Sequence, residues 1–172
     1  MMKKKLSNFW YYNKWYVLFA VLVLWVVGNF FLERSRIVKP DAIVSFVTMA
    51  EVSEETQEAL RLKVTELTGD ANGDGRTEIE INVYAYDGEG SGGTDPERYA
   101  ADAVHLASEV KLQTTSFFVT DLPELFAEMG TVEQKGLWKD YELLRQIEDT
   151  QLSEFQIYVF AQKDAQLLNK FK

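Results

Sequence analysis

The 172-residue chain has no cysteine, one histidine and three prolines. Without cysteine there is no disulfide, no thiolate metal ligand and no thiol nucleophile. With His105 as the sole imidazole, a nucleophile–base–orienter set has little to be built from. Basic residues are scarce beyond position 40. There 11 Lys and Arg face 26 Asp and Glu, a net of −15, whereas residues 1–40 carry 7 against 1, a net of +6. So acidic a domain repels a phosphate backbone, which argues against nucleic acid and for divalent cations or cationic surfaces as partners.

What is present near the start is grease. Residues 15–32, WYVLFAVLVLWVVGNFFL, contain no charge. At ~1.5 Å per residue this run nearly spans a hydrocarbon core. Phe9, Trp10, Tyr11, Tyr12, Trp15 and Tyr16 crowd its first boundary, as in an interfacial belt. Lys3, Lys4, Lys5 and Lys14 precede it, and Arg34, Arg36 and Lys39 follow. The modest positive-inside asymmetry places residues 1–14 in the cytoplasm and the remainder outside. The expectation is a single-pass cell-membrane protein: a transmembrane signal anchor at 15–32, a linker at 33–40 and an extracellular domain at 41–172. A cleaved signal peptide stands beside it, because Val26-Val27-Gly28 resembles a weak cleavage site. The apolar run through Phe30, Phe31 and Leu32 favours the anchor.

Beyond residue 40, strands and helices alternate. Strands are expected at 42–49, 78–86, 116–120 and 155–161, and helices at 53–67, 96–112, 121–130, 137–147 and the C-terminus. Ser53 and Asp95-Pro96 read as helix starts. The second strand alternates strictly, with Ile79, Ile81 and Val83 on one face and Glu80, Asn82 and Tyr84 on the other. That pattern marks a half-exposed or edge strand. The fold class is therefore α/β: an N-terminal transmembrane helix, then a small three-layer domain on a mainly parallel four-stranded sheet, with the last strand a candidate antiparallel edge.

Residues 99–109 (YAADAVHLASE), then 116–121 (SFFVTD) and 122–130 (LPELFAEMG) carry a resemblance. This order is similar to a stretch of the extracellular solute-binding proteins of bacterial ABC importers. The resemblance covers about residues 41–148 and rests on patterns of residue type. It implies a sheet like one lobe of that type II periplasmic-binding-protein-like fold. The family binds its solute between two lobes, and this chain is too short for a second.

The sharpest motif is Asp70-Ala-Asn72-Gly-Asp74-Gly75-Arg76-Thr-Glu78. Oxygen-bearing side chains at positions one, three and five can converge on one Ca2+, glycine at six permits the turn, and Arg76 offers a carbonyl at seven. Glu78 falls at nine, while Ile81 replaces the usual bidentate glutamate at twelve. A distant carboxylate must then complete the shell, or the site is weak. An acidic turn built on Asn72-Gly73 and Asp74-Gly75 explains the same residues without metal.

Gly88–Gly93 formally spells a dinucleotide fingerprint, but Asp87, Glu89 and Asp95 oppose a pyrophosphate, and a flexible loop is the better account. Asp102, His105 and Glu109 share a helical face, read as a solvated polar stripe opposite a core side of Ala103, Val104, Ala107 and Val110. Carboxyl ends of strands place Thr48, Met49, Tyr86, Asp87, Thr120 and Asp121 along one rim, where a sugar or peptide could bind; ordinary strand ends account for the same residues equally well. The sequence leads to a non-enzymatic, calcium-stabilised module that meets an envelope protein partner. Small-solute capture on the rim is the alternative, and a carboxylate-based hydrolase comes third.

Overall fold

The computed structural model describes residues 2–34, 39–86, 95–127, 129–149, 151–161 and 165–172. The chain divides into two units, Met1–Lys39 and Pro40–Lys172. The first is dominated by one helix, α1 (Met2–Arg34). Within it Trp10–Phe30, with mean hydropathy 1.4, is long and apolar enough to cross a membrane. Its apolar side chains, among them Leu18, Phe19, Val21, Leu24 and Trp25, are exposed all round the helix within its own unit. A helix apolar on every side needs an apolar surrounding.

The second unit is built on β1 (Ala42–Val47), α2 (Glu54–Thr68), β2 (Ile79–Tyr84), α3 (Pro96–Leu112) and β3 (Phe117–Thr120). It continues through α4 (Pro123–Ala127), β4 (Val132–Leu137), α5 (Glu142–Arg145), β5 (Gln156–Phe160) and α6 (Ala165–Asn169). Two helix starts follow the sequence signals. Ser53 Oγ accepts from the Thr56 N–H at 3.2 Å, and Asp95 Oδ1 accepts from the Arg98 N–H at 3.0 Å with Pro96 just inside. These caps satisfy donors that the first helical turn leaves orphaned. At the far end of α2, Gly69 takes φ +62°, a conformation that costs glycine nothing.

The sheet has five strands in the order β2-β1-β3-β5-β4, not four. β2, β1 and β3 run parallel, whereas β5 is antiparallel to both β3 and β4. β5 is thus antiparallel as anticipated but lies inside the sheet, because β4 takes the edge. β4 escapes a search for alternation because its sequence, VEQKGL, is mostly polar. It is also irregular, with a bulge between Gln134 and Gly136. The expected helix over 137–147 is instead a 3₁₀ turn (Trp138–Asp140) followed by the single turn of α5. Trp138, Tyr141 and Leu144 are all buried, so their spacing of three marked a buried face without marking a continuous helix.

Strand alternation sorts the core into two layers. On one face Val44, Phe46, Ile79, Phe117, Val119 and Ile157 pack with Leu60 and Val64 of α2, with Trp138 and Leu144, and with Phe171. On the other, Val47, Phe118, Tyr158 and Phe160 meet Leu106 of α3 and Phe126 of α4. Helical elements cover both faces, as a parallel sheet segment requires. β2 forms the other edge and keeps Ile79 buried while Glu80 is exposed.

Candidate functional site

Three groups of polar residues are positioned by this frame. The first is the acidic loop between α2 and β2. Asp70 Oδ1 accepts from the N–H groups of Gly73 (2.7 Å) and Asp74 (3.1 Å), and its Oδ2 from Gly75 (2.9 Å). Asn72 Oδ1 accepts from Asp74 N–H, and Asp74 Oδ1 from Arg76 N–H, both at 2.9 Å. The loop is therefore wound around its own side-chain oxygens, with Gly75 at φ +84° permitting the turn. Asp70 Oδ1 spends both lone pairs on these bonds, whereas Asp70 Oδ2, Asn72 Oδ1 and Asp74 Oδ1 each accept one and keep one. Asp41, absent from the sequence-derived ligand set, ties the loop to the start of β1. Its carboxylate accepts from Ala71 (2.8 Å), Asn72 (2.9 Å) and Glu78 (2.9 Å) N–H groups. The bond from Glu78, then that from Asn72, lowers the Asp41 pKa below its ordinary value. Arg76 and Glu78 fall where the loop meets β2, with Glu78 exposed. Among the described residues, no three Asp, Glu, His or Cys side chains come together as a ready-made metal centre.

The second group is the rim. Thr48 Oγ1 donates to Asp121 Oδ2 at 3.0 Å and accepts from Ala50 N–H at 2.9 Å. Thr120 Oγ1 donates to the Val47 carbonyl at 2.7 Å and accepts from Leu122 N–H at 2.9 Å. Thr48, Thr120 and Asp121 are thus brought together at the ends of β1 and β3, and both threonine hydroxyls serve to turn the chain. Met49 is half exposed. Tyr86 stacks on Tyr99 of α3 with ring centroids 5.2 Å apart, and it lines an apolar groove of 320 Å³ with Leu106, Val110, Leu125 and Met129. Asp87 and the Gly88–Gly93 loop lie outside the described residues.

The third group was not legible as a site. Glu109 of α3 accepts four hydrogen bonds. Its Oε2 takes those of Ser45 Oγ (2.6 Å) and Thr115 Oγ1 (2.7 Å), and its Oε1 those of Asn82 Nδ2 and Tyr84 Oη (both 2.8 Å). Two turns earlier, Asp102 Oδ2 accepts from Ala85 N–H at 3.0 Å. The expected solvated stripe is therefore corrected: Asp102 and Glu109 face the sheet, and only His105 is exposed. Val104, expected on the core side, is 69% exposed. The inward residues are Tyr99, Asp102, Ala103, Leu106, Glu109 and Val110, whose spacings of three and four define one helical face. The available signal was Ser45, a lone hydroxyl within the apolar AIVSFV strand. Burial, followed by the hydrogen bond to Glu109, raises the Tyr84 pKa, with Glu80 and Asp102 adding to the effect.

Glu80, Asn82, Tyr84, His105, Glu109 and Leu112 line a cleft of 410 Å³ over this network. A hollow of 550 Å³ on the opposite layer is lined by Trp138, Arg145, Glu148 and Asp149. Comparison of the chain with known protein families, with curated proteins and with solved structures returned no match.

Proposed function

We propose that this chain is a single-pass membrane protein whose 40–172 unit faces the cell exterior and works, without catalysing a reaction, as a calcium-stabilised protein-interaction module. The supporting observation is the division of the chain into a helix apolar enough to cross a membrane and a separately packed acidic domain. Lys3, Lys4, Lys5 and Lys14, ahead of the uncharged run at 15–32, orient it with the N-terminus inside. Calcium enters at Asp70, Asn72 and Asp74, with the Arg76 carbonyl and Glu78 next along the loop. Its role is to hold the end of α2 against the start of β2. Asp41 already fastens the same loop through backbone N–H groups.

The test is affinity purification of the detergent-solubilised full-length protein from its own membranes, with calcium or with chelator. A discrete envelope protein should co-purify, in larger amount with calcium. Recovery of nothing beyond what an unrelated single-pass protein recovers would contradict the interaction role.

A second reading is favoured by the groove that Tyr86 lines: capture of a small solute, a sugar or short peptide, as on one lobe of a solute-binding protein. Its apolar lining suits a peptide side chain better than a sugar. Saturable binding of such a solute by the isolated full-length protein would distinguish this role from the first.

A further inference from the structure

The two edges of the sheet differ. β4 is blunted as exposed edges commonly are, by a bulge between Gln134 and Gly136 and by Lys135. β2 pairs with β1 through six consecutive residues with no break in register, and no described residue pairs with its outer side. Alternate N–H and C=O groups of β2 therefore point away from the sheet, a template for one more strand.

The flanks of that edge specify what the strand should carry. On the α3 side is the 410 Å³ cleft, with the exposed Glu80 carboxylate at its mouth and Glu109 within. Among the described residues, the hydrogen-bond donors to Glu109 are neutral groups, so the carboxylate is held in place without a cationic partner there. Burial first, and then the Glu109 hydrogen bond and the charges of Glu109, Glu80 and Asp102, raise the pKa of the Tyr84 hydroxyl in the same place. Leu112, 66% exposed, supplies apolar surface beside these carboxylates, suited to the aliphatic stem of a long basic side chain. On the α2 side Ile81 and Val83 are only partly buried.

From the unblunted edge and its acidic cleft we infer that β2 accepts an extended segment of a partner protein as a sixth strand, with Lys or Arg of that segment entering the cleft toward Glu80 and Glu109. Residues of the added strand alternate between faces. Basic side chains point toward α3, and apolar ones lie against Ile81 and Val83. Backbone hydrogen bonds supply the pairing and the cleft supplies specificity. The net charge of −15 beyond residue 40 steers such a segment in. A second copy of this chain is the wrong occupant, because it would bring another acidic β2 against Glu80.

This inference rests on the interaction role proposed above, and a defined probe tests it separately. The full-length protein in detergent is titrated with a fluorescent hexapeptide of alternating lysine and valine. Two controls are the same peptide with alternate backbone nitrogens methylated, and one with glutamate for lysine. The lysine peptide should bind, with amide NMR shifts centred on residues 79–84. Both controls should bind at least about tenfold more weakly. Glu80→Gln, at an exposed position, should weaken the lysine peptide several-fold. Equal binding of the methylated peptide, shifts centred elsewhere, or no binding at all would overturn strand addition. Binding unchanged by both Glu80→Gln and the glutamate peptide would overturn the basic specificity. If these fail while the calcium-dependent purification still recovers a partner, only this surface is wrong; if that purification also fails, the interaction role falls with it.

Discussion

The Tyr84 hydroxyl on β2 donates to Glu109 Oε1 on α3 at 2.8 Å, and this bond joins the outer strand to the helix that crosses it. Glu109 is the shared acceptor of four side chains drawn from β1, β2 and the turn before β3. Glu109→Ala takes a shared acceptor from four donors, two of them on the fully buried Ser45 and Thr115, which keep a 3.4 Å contact with each other, while Asn82 keeps Glu80 Oε1. Stability should fall by about 3 kcal/mol, the scale set by losing hydrogen bonds to a charged group. Glu109→Gln, which keeps one acceptor oxygen, should lose less. Urea denaturation of the three proteins measures both.

Trp138 presents the reverse case, a buried donor without an acceptor. Its ring is 1% exposed, and its Nε1 has no hydrogen-bond partner among the described residues. Trp138→Phe removes the orphaned donor while keeping most of the ring, so it should cost only about 1 kcal/mol. Trp138→Ala opens a cavity beside Phe46 and should cost about 4 kcal/mol. The spread between the two variants in thermal or urea unfolding is the quantity to measure.

Asp41 gives the domain an acid limb. Its carboxylate is held below its ordinary 3.8 by the N–H groups of Glu78, Asn72 and Ala71. A lowered folded-state pKa adds stability that is present above the ordinary value and is lost as pH falls through the lowered one. Melting temperature should therefore decline below about pH 4. Asp41→Asn should melt lower than the parent at neutral pH and show a weaker decline in acid. A parallel pair of pH profiles would contradict the assignment.

Calcium should raise the melting temperature. With a dissociation constant of roughly 1 mM, at the weak end for extracellular loops, 10 mM calcium contributes about 1.4 kcal/mol. For a domain of this size that is about 5 °C. Asp74→Ala should abolish the gain, and magnesium should reproduce little of it. A melting curve unchanged at millimolar calcium would remove the metal from the account.

How much of this was readable in the sequence depends on which force placed each residue. Ser53 and Asp95-Pro96 act locally, and the helices begin where they say. The alternation in β2 reports its edge position because one side of the strand meets α2 and the other a polar cleft. β4 hid because an edge strand survives by being polar and bulged, which erases the pattern by which strands are found. Ser45, Asp41 and Glu109 hid for another reason. Their partners lie 64 residues away for Ser45 and Glu109, and 30 to 37 for Asp41. Only tertiary folding brings such donors and acceptors together. Thr48 and Thr120 lie at the ends of β1 and β3, and they spend their hydroxyls on the chain itself.

Because the chain has no cysteine, each introduced thiol is unique, and this permits the most direct test of which side of the membrane the domain occupies. Lys3→Cys and Glu97→Cys versions of the full-length protein are exposed in intact cells to a membrane-impermeant maleimide. The account predicts labelling at position 97 before lysis and at position 3 only after it. Labelling at position 3 alone, or at neither until the cells are broken, would contradict an anchored domain facing outward.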